Sequence, residues 1–158
     1  MMSSVSLSKI CRAAEILRLI VGPQNTQVAA NLDHVKNRFN IERSTATLVI
    51  INEVNKGEYK KNESFLKSNS TDKYLIYEIK FGSIQQLRNW CNWILISNYI
   101  DVIPLDNNNR RYVYFHFSSQ RKAQEPYFKA LMGEVESQIE TIRGWYMARH
   151  VTESMIHK

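Results

Sequence analysis

The sequence predicts an α/β fold with a mostly parallel sheet. Three apolar runs have the length of β-strands and lie at 47 to 51 (TLVII), 92 to 97 (NWILIS) and 111 to 117 (RYVYFHF). The first two are apolar throughout, which is typical of central parallel strands covered on both faces, whereas the third alternates somewhat. Helical patterns separate the runs and no linker divides the chain, so we expect a single domain over 1–158, with a core at about 9–120.

Two helices are predicted before the first strand. SKICRAAEILRLI carries apolar residues at helical intervals and is followed by Gly22 and Pro23, which typically end a helix. NLDHVKNRFN places three apolar residues on one helical face, with Asn31 as the expected N-cap. Both helices therefore precede TLVII.

Two further elements complete the prediction. After TLVII comes a polar stretch, NKGEYKKNESFLKSNSTDK, which we leave unassigned, and then YLIYEIKFGSIQQLRNW, whose aromatic and β-branched residues around Phe81 and Gly82 predict a hairpin. From about 121 to 158 the pattern predicts a helical C-terminal segment that Gly133 and Gly144 interrupt. Its expected buried stripe consists of Phe128, Leu131, Val135, Ile139 and Ile142.

Composition narrows the function classes. Lysine and arginine exceed aspartate and glutamate by six and the sequence pI is about 9.4, which is compatible with an acidic polymer as partner. No apolar run approaches the roughly 18 residues of a membrane span, and no secretory leader pattern opens the chain. Cys11 and Cys91 lack the paired spacing of a zinc site, and the four histidines are scattered. We therefore expect a cytoplasmic protein, neither secreted nor membrane-bound, with buried free thiols and no metal site.

Polar side chains follow the first two strands at the point where each strand ends. Asn52 and Glu53 follow TLVII, and Asn98 follows WILIS. In open parallel sheets, ligands bind just beyond the carboxyl ends of the strands. A carboxylate and a carboxamide there can orient one water or one metal-bound phosphate. Arg110 and Arg111 can supply positive charge to a phosphate, including one held by an adjacent subunit. The alternative is that each is an ordinary strand terminus.

In this order the motifs resemble the core of the superfamily 3 helicases, in particular the helicase half of phage and plasmid primase-helicases. The resemblance covers about residues 9–135 and implies a P-loop NTPase core of the AAA+ type. It implies that Asn52 and Glu53 correspond to the acidic Walker B motif and Asn98 to the sensor asparagine. In the same way, IPLDNNNRRYVYF is similar to the segment carrying the arginine finger, which makes Arg111 the finger, with Arg110 as the alternative. The resemblance also implies a bacterial, archaeal or virus-infected host cell.

The resemblance fails at the Walker A loop, G-x-x-x-x-G-K-[ST], whose backbone N–H groups hold phosphates. The matching stretch is SSVSLSKI, with Ser3 and Ser8 at the glycine positions, Lys9 at the lysine and Ile10 where the hydroxyl belongs. Only Lys9 fits, so we expect weak binding of ATP and Mg²⁺ and an incomplete, apparently truncated core. Each charge-assisted hydrogen bond lost costs on the order of 1.5–3 kcal/mol.

Three functions remain open. The chain is a truncated helicase-like protein with little or no ATPase activity that binds DNA or a helicase, or it is an active ATPase completed by another chain. The third alternative is a regulatory module that caps or poisons a helicase ring. A missing Walker A strand would leave TLVII and WILIS with an unpaired apolar edge, so we expect a homo-oligomer or a complex with a full-length helicase.

The region between the two motif strands suggests contact with single-stranded DNA. Residues 56 to 88 contain seven basic and four acidic residues with aromatic residues interleaved, a composition that suits phosphate contact and base stacking. The candidate DNA-binding residues are Lys73, Lys80 and Phe81, and Lys80 matches the basic residue of the helicase family's β-hairpin.

Overall fold

The computed structural model describes residues 11–37, 40–104, 112–118, 120–121 and 124–149. Five helices and five strands lie in these ranges: α1 (Arg12–Val21), β1 (Thr26–Ala29), α2 (Leu32–Val35), β2 (Leu48–Ile51), α3 (Lys56–Thr71), β3 (Tyr74–Glu78), β4 (Ile84–Arg88), β5 (Asn92–Leu95), α4 (Glu125–Ser137) and α5 (Ile139–Ala148). Short 3-10 turns at Pro23–Asn25 and Ile41–Thr45 precede β1 and β2. The α/β class predicted from the sequence is confirmed.

A three-stranded parallel sheet in the order β1-β2-β5 forms the centre of the fold. The register aligns Ala29, Ile51 and Leu95, so the three strands end together. All four residues of β2 are buried, as the unbroken apolar run TLVII predicts for a strand covered on both faces. The predicted strands at 47–51 and 92–97 are thus confirmed, and β1 is an additional strand.

Helices cover the two faces of this sheet. On one face Val49 and Ile51 pack in a core with residues of α2 and α3, including Leu32, Tyr59 and Leu66. On the opposite face Leu48 and Ile50 pack with Ala14 of α1. The alternation follows from the two-residue period of a strand, and it fixes which helix lies on which side.

The β3–β4 hairpin is a separate antiparallel sheet that packs on the body through a buried arginine. Arg43 is 3% exposed, and its guanidinium lies 5.4, 5.7 and 6.0 Å from the ring centroids of Phe65, Tyr77 and Trp93. These rings belong to α3, the hairpin and the parallel sheet. Arg43 Nη1 also donates to Val35 O at 3.3 Å. Arg43 therefore contacts α3, the hairpin and the parallel sheet together.

Burial also changes the ionisation of two groups beside Arg43. It raises the pKa of the Tyr77 phenol and of the Cys91 thiol, and the charge of Arg43 opposes the increase only partly. Cys91 Sγ donates to Ala46 O at 3.1 Å. Both cysteines are free, as predicted, and both are half-buried rather than fully buried.

Several predicted elements differ from the structure. The unassigned polar stretch forms the 16-residue helix α3. The predicted strand at 111–117 is wrong for 112–117, which have no regular structure. The C-terminal helix breaks at Gln138, whereas Gly133 and Gly144 lie inside helices. Along its predicted stripe each residue is half-buried, and Met132 is the fully buried one.

None of the helices among the described residues is both long and apolar enough to cross a membrane.

Candidate functional site

The carboxyl edge of the parallel sheet brings the predicted strand-end residues together. Because β1, β2 and β5 end in register, the segments after each strand begin side by side. Asn52 and Glu53 follow the central strand, and Asn98 lies in the loop after its neighbour β5. Among the described residues no hydrogen bond joins these three side chains, so the register places them at one edge of the sheet without linking them in one network.

Asn52 is buried with an unsatisfied acceptor. Its side chain is at a position 6% exposed, and its backbone N–H donates to Ala29 O at 2.9 Å. The side-chain oxygen Oδ1 has no hydrogen-bond partner. A buried carbonyl oxygen without a hydrogen-bond donor costs free energy, on the order of 1–3 kcal/mol. In a strand-end loop such an oxygen can accept a hydrogen bond from a bound ligand.

Glu53 is exposed and adopts a left-handed backbone conformation with φ 54°. Immediately after it, Val54 N donates to Ile96 O at 2.9 Å, which resumes the pairing between the central strand and β5. Glu53 therefore bulges out of the ladder, with its carboxylate on the solvent side of the edge. Left-handed conformation in a residue other than glycine costs about 1 kcal/mol or more and is frequent at functional sites.

The N-terminus of α3 is fixed at the same edge. Asn55 Oδ1 accepts from Glu58 N at 2.9 Å, an N-cap that starts the helix directly after the Glu53 bulge. The Glu58 carboxylate in turn accepts from the backbone N–H of Leu32 in α2. These bonds tie the first turns of two helices together, so the strand-end loop is held at both of its ends.

Two exposed ion pairs flank this edge. Lys56 Nζ lies 2.8 Å from Asp101 Oδ2, and Lys61 Nζ lies 3.1 Å from Asp33 Oδ2. The hydrogen bond from the lysine lowers the pKa of each aspartate. Exposed pairs contribute little to stability, but they neutralise two carboxylates that would otherwise repel an anionic ligand. In the described part of the chain no three His, Cys, Asp or Glu side chains converge as a metal site.

The hairpin presents the predicted DNA-binding residues at its two ends. Lys80 and Phe81 form the tip, and Lys73 directly precedes β3 at the opposite end. Phe81 is 99% exposed, and Lys80 Nζ lies 5.3 Å from its ring centroid. Gly82 N donates to Ile79 O at 2.9 Å, which closes the turn. The tip is therefore a tight turn that projects an aromatic ring and an ammonium group into solvent.

Gly82 is required by the crowding of this turn. A Cβ at Gly82 would approach Ile79 Cβ to 2.9 Å. Phe81 itself has φ 62°, and together with Glu53 it makes up the non-glycine residues with positive φ in the described ranges. Both left-handed residues are thus candidates that the sequence had singled out for function.

Comparison with known sequences assigns the chain to a family. Residues 8–111 match the profile described as "Family of unknown function (DUF5906)", which is well over half of the chain. The chain belongs to the DUF5906 family. No curated protein sequence matches this DUF5906 member.

Two solved structures are similar to this DUF5906 chain in fold. The apo C-terminal region of NrS-1, residues 305–718, superposes with a TM-score of 0.67 at 16% identity, covering 93% of this chain and 36% of the other. The A form of the apo NrS-1 C-terminal region gives a TM-score of 0.68 at 19% identity, covering 89% of this chain and 35% of the other. The chain thus spans about a third of the length of these structures, and the likeness is one of fold.

Some predicted residues of this DUF5906 member lie outside the described ranges. These are Lys9 of the degenerate phosphate loop and Arg111, with its alternative Arg110. Conversely, the structure reveals an exposed pair that our interpretation of the sequence missed, in which the guanidinium of Arg88 lies 4.1 Å from the ring centroid of Trp90. The signal was the short spacing in R-N-W, where a basic residue ends a strand and an aromatic residue follows two positions later.

Proposed function

We propose that this chain is a helicase-like module of a phage- or plasmid-type DNA replication protein, and that it binds single-stranded DNA through the β3–β4 hairpin. The observation that carries the proposal is the hairpin tip, where a fully exposed phenylalanine lies beside a lysine ammonium in a tight, glycine-dependent turn. The resemblance to superfamily 3 helicases and the fold likeness to the NrS-1 C-terminal region support it.

The chemistry of the tip suits a single strand rather than a duplex. An exposed ring can stack on any unpaired base, whatever the sequence of the strand, and the adjacent ammonium can contact a phosphate. Stacking of this kind contributes about 1–3 kcal/mol per base. Because the Phe81 side chain is 99% exposed, its ring is accessible for that contact.

The test is fluorescence anisotropy of a labelled oligo(dT) with the full chain. We expect binding at low salt that weakens steeply as salt rises, and a loss of affinity of severalfold or more in Lys80→Ala and in Phe81→Ala. Lys60→Ala, on the exposed side of α3, and Phe115→Ala, at another exposed phenylalanine, are matched controls. Absence of binding at low salt, or equal losses in the control variants, would remove the hairpin from consideration.

For the nucleotide, we propose weak binding of ATP with Mg²⁺ and no strong hydrolysis by the chain alone. Within these 158 residues no G-x-x-x-x-G-K-[ST] segment occurs. Asn52, Glu53 and Asn98 can position water and sense phosphate, but they do not by themselves cradle a triphosphate. ATP turnover by wild type should equal that of Glu53→Gln, and magnesium-dependent turnover that disappears in this variant would contradict the proposal.

A second candidate function is association with another chain, and the free edge of β5 favours it. Among the described strands β5 pairs with β2 alone, whereas β2 is paired on both sides. The unpaired edge that the sequence predicted for both β2 and β5 is therefore present at β5 and absent at β2. Asn92 N and Ile96 N donate to β2 and its flanks, so the alternation of a strand directs the N–H groups of Trp93 and Leu95 to the other side.

This edge lacks the usual protection against pairing. The segment NWILIS has no charged residue and no proline, the residues that natural proteins use to keep an edge strand from joining another chain. We therefore propose that β5 accepts a strand from a second copy or from a full-length helicase. Such pairing is compatible with both open alternatives, an ATPase completed by another chain and a module that caps a helicase ring. Sedimentation equilibrium across a wide concentration range tests this association. A chain that stays monomeric at all concentrations and does not bind a full-length helicase would exclude this candidate.

A further inference from the structure

A second contact surface lies at the end of the hairpin opposite the tip. In the β3–β4 register Tyr74 pairs with Arg88, and Trp90 follows two residues later. Trp90 is 56% exposed, and the guanidinium of Arg88 lies 4.1 Å from its ring centroid. An aromatic ring and a cation therefore adjoin at this end, as Phe81 and Lys80 do at the tip.

The position of Trp90 is fixed although its side chain is exposed. Asn89 Nδ2 donates to Asn69 O at 2.8 Å and to Asp72 O at 3.0 Å, and Asn89 Oδ1 accepts from Cys91 N at 3.0 Å. Asn89 N also donates to Lys73 O at 2.9 Å. Asn89 is thus hydrogen-bonded to α3, to the residues that precede β3 and to Cys91. These bonds fix the backbone on both sides of Trp90.

The outer face between the two ends is exposed and carries both apolar and polar side chains. Strand alternation directs Leu75 and Tyr77 into the body, where both are buried. The register places on the other face Tyr74, Ile76 and Ile84 together with Glu78, Gln86 and Arg88. Trp90 is not part of either hydrophobic core of the described residues. Exposed apolar residues that adjoin cations suit base stacking and phosphate contact.

Charge favours a polyanion as the occupant. The hairpin unit comprises residues 72–90. Its basic residues are Lys73, Lys80 and Arg88, and no ion pair among the described residues includes any of them. The acidic residues are Asp72 at the base and Glu78 near the tip, and Asp72 is hydrogen-bonded by Ser68 Oγ. The unit therefore has a net positive charge, with Lys80 beside the ring of Phe81 and Arg88 beside the ring of Trp90.

We propose that Arg88 and Trp90 form a second stacking and phosphate contact for the same single strand of DNA that the tip binds. Strand β4 alone spans about 14 Å at roughly 3.4 Å per residue, and Phe81 and Trp90 lie beyond its two ends, so the two rings are separated by at least the length of this strand. A strand that engages both runs along the outer face of the hairpin, past Ile84 and Ile76. This inference rests on the proposed function and adds the path of the DNA to it.

The experiment uses tryptophan fluorescence of the full chain titrated with oligo(dT). Trp145 of α5 is a matched control, because it is 62% exposed and has Arg149 at 6.0 Å from its ring centroid. Stacking on a base should quench wild-type emission. The quench should remain in Trp145→Phe and disappear in Trp90→Phe, and Trp90→Ala should weaken binding at least fivefold.

The cation is tested by the salt dependence. Arg88→Gln should reduce the slope of log affinity against log salt by about one unit, whereas Arg149→Gln should leave the slope unchanged.

The outcomes separate the two proposals. If Lys80→Ala weakens binding while Trp90→Ala and Arg88→Gln do not, the tip binds DNA and the second contact is wrong. If wild type does not bind oligo(dT) at low salt, both proposals are wrong. A quench that disappears in Trp145→Phe, or a response of Trp90 only to an added helicase, would also overturn the second contact and would assign this face to another partner.

Discussion

The parallel sheet and the β3–β4 hairpin use the same residue types in opposite ways. In β2, Ile50 and Ile51 are fully buried between helices, whereas Ile76 and Ile84 of the hairpin are exposed. The difference arises from topology, because β2 has a strand on each side and a helix layer on each face, and the hairpin has one face on the body and one in solvent. Apolar content alone therefore does not distinguish a core strand from a contact surface.

The largest effect should come from truncating the buried isoleucine. Ile50→Ala removes a side chain that packs between β2 and α1, and we expect it to lower the free energy of unfolding by about 2–5 kcal/mol. Ile84→Ala on the hairpin should change it by less than about 0.5 kcal/mol. Urea denaturation of both variants measures the contrast, and similar losses would show that the outer face of the hairpin is part of the core.

A second prediction concerns Arg43, which joins the two regions. Arg43→Ala should lower the free energy of unfolding by about 2–3 kcal/mol, because a desolvated guanidinium that contacts three rings is lost together with the volume that it fills. Arg121→Ala is the control, since Arg121 also lies over a ring, that of Tyr127 at 4.2 Å, but on the surface. Equal effects of the two substitutions would argue against Arg43 as the link between sheet and hairpin.

The two regions also differ in how much of each the sequence predicts. β2 and β5 follow from local apolar runs, and the hairpin follows from the aromatic and β-branched residues around Phe81 and Gly82, so local pattern suffices for both. β1 does not, because TQVA has no strong strand signal and becomes a strand through pairing with β2, a contact between residues about 20 positions apart. Conversely, YVYFHF has a strand pattern, but no strand among the described residues pairs with it.

Helix α3 shows a second reason for a missed element. Its buried face consists of Tyr59, Asn62, Leu66 and Asn69, at helical spacing, but two of the four are asparagines. Nδ2 of Asn62 and Nδ2 of Asn69 donate to the carbonyls of Glu58 and Phe65 within the same helix, while Asn69 Oδ1 has no hydrogen-bond partner. A hydrophobic period cannot reveal a face whose buried members are half polar.

The candidate site was predicted in part. The rule that ligands lie beyond the carboxyl ends of parallel strands selects Asn52, Glu53 and Asn98 from sequence, and the register places them at one edge. The role of each stays a prediction. What the sequence could not supply is the left-handed backbone of Glu53 and the unsatisfied oxygen of Asn52, since both depend on how Val54 rejoins the sheet.

A third prediction sharpens the boundary between hairpin and sheet, where Cys91 lies. Burial raises the pKa of the Cys91 thiol, so less thiolate is present near pH 8, and the hydrogen bond to Ala46 O further favours the protonated form. Alkylation by iodoacetamide should therefore be at least tenfold slower in the native than in the unfolded protein, and should accelerate as pH rises. Mass spectrometry of the Cys91 peptide measures this, and a native rate equal to the unfolded rate would show that the boundary opens freely.

The smallest and most diagnostic effect concerns the two left-handed residues, Glu53 in the sheet edge and Phe81 in the hairpin. Glycine adopts this conformation without the steric cost of a Cβ, so Glu53→Gly and Phe81→Gly should each raise the free energy of unfolding by up to about 1 kcal/mol. Residues retained at the expense of stability are expected where the side chain has a function. The two substitutions should therefore differ in their effect on DNA binding. Phe81→Gly should weaken oligo(dT) binding, whereas Glu53→Gly should leave it unchanged. Thermal denaturation and anisotropy on the same samples measure both quantities. Destabilisation by either glycine would mean that the side chain is held by contacts in the folded protein, and its left-handed backbone would then no longer support a functional role.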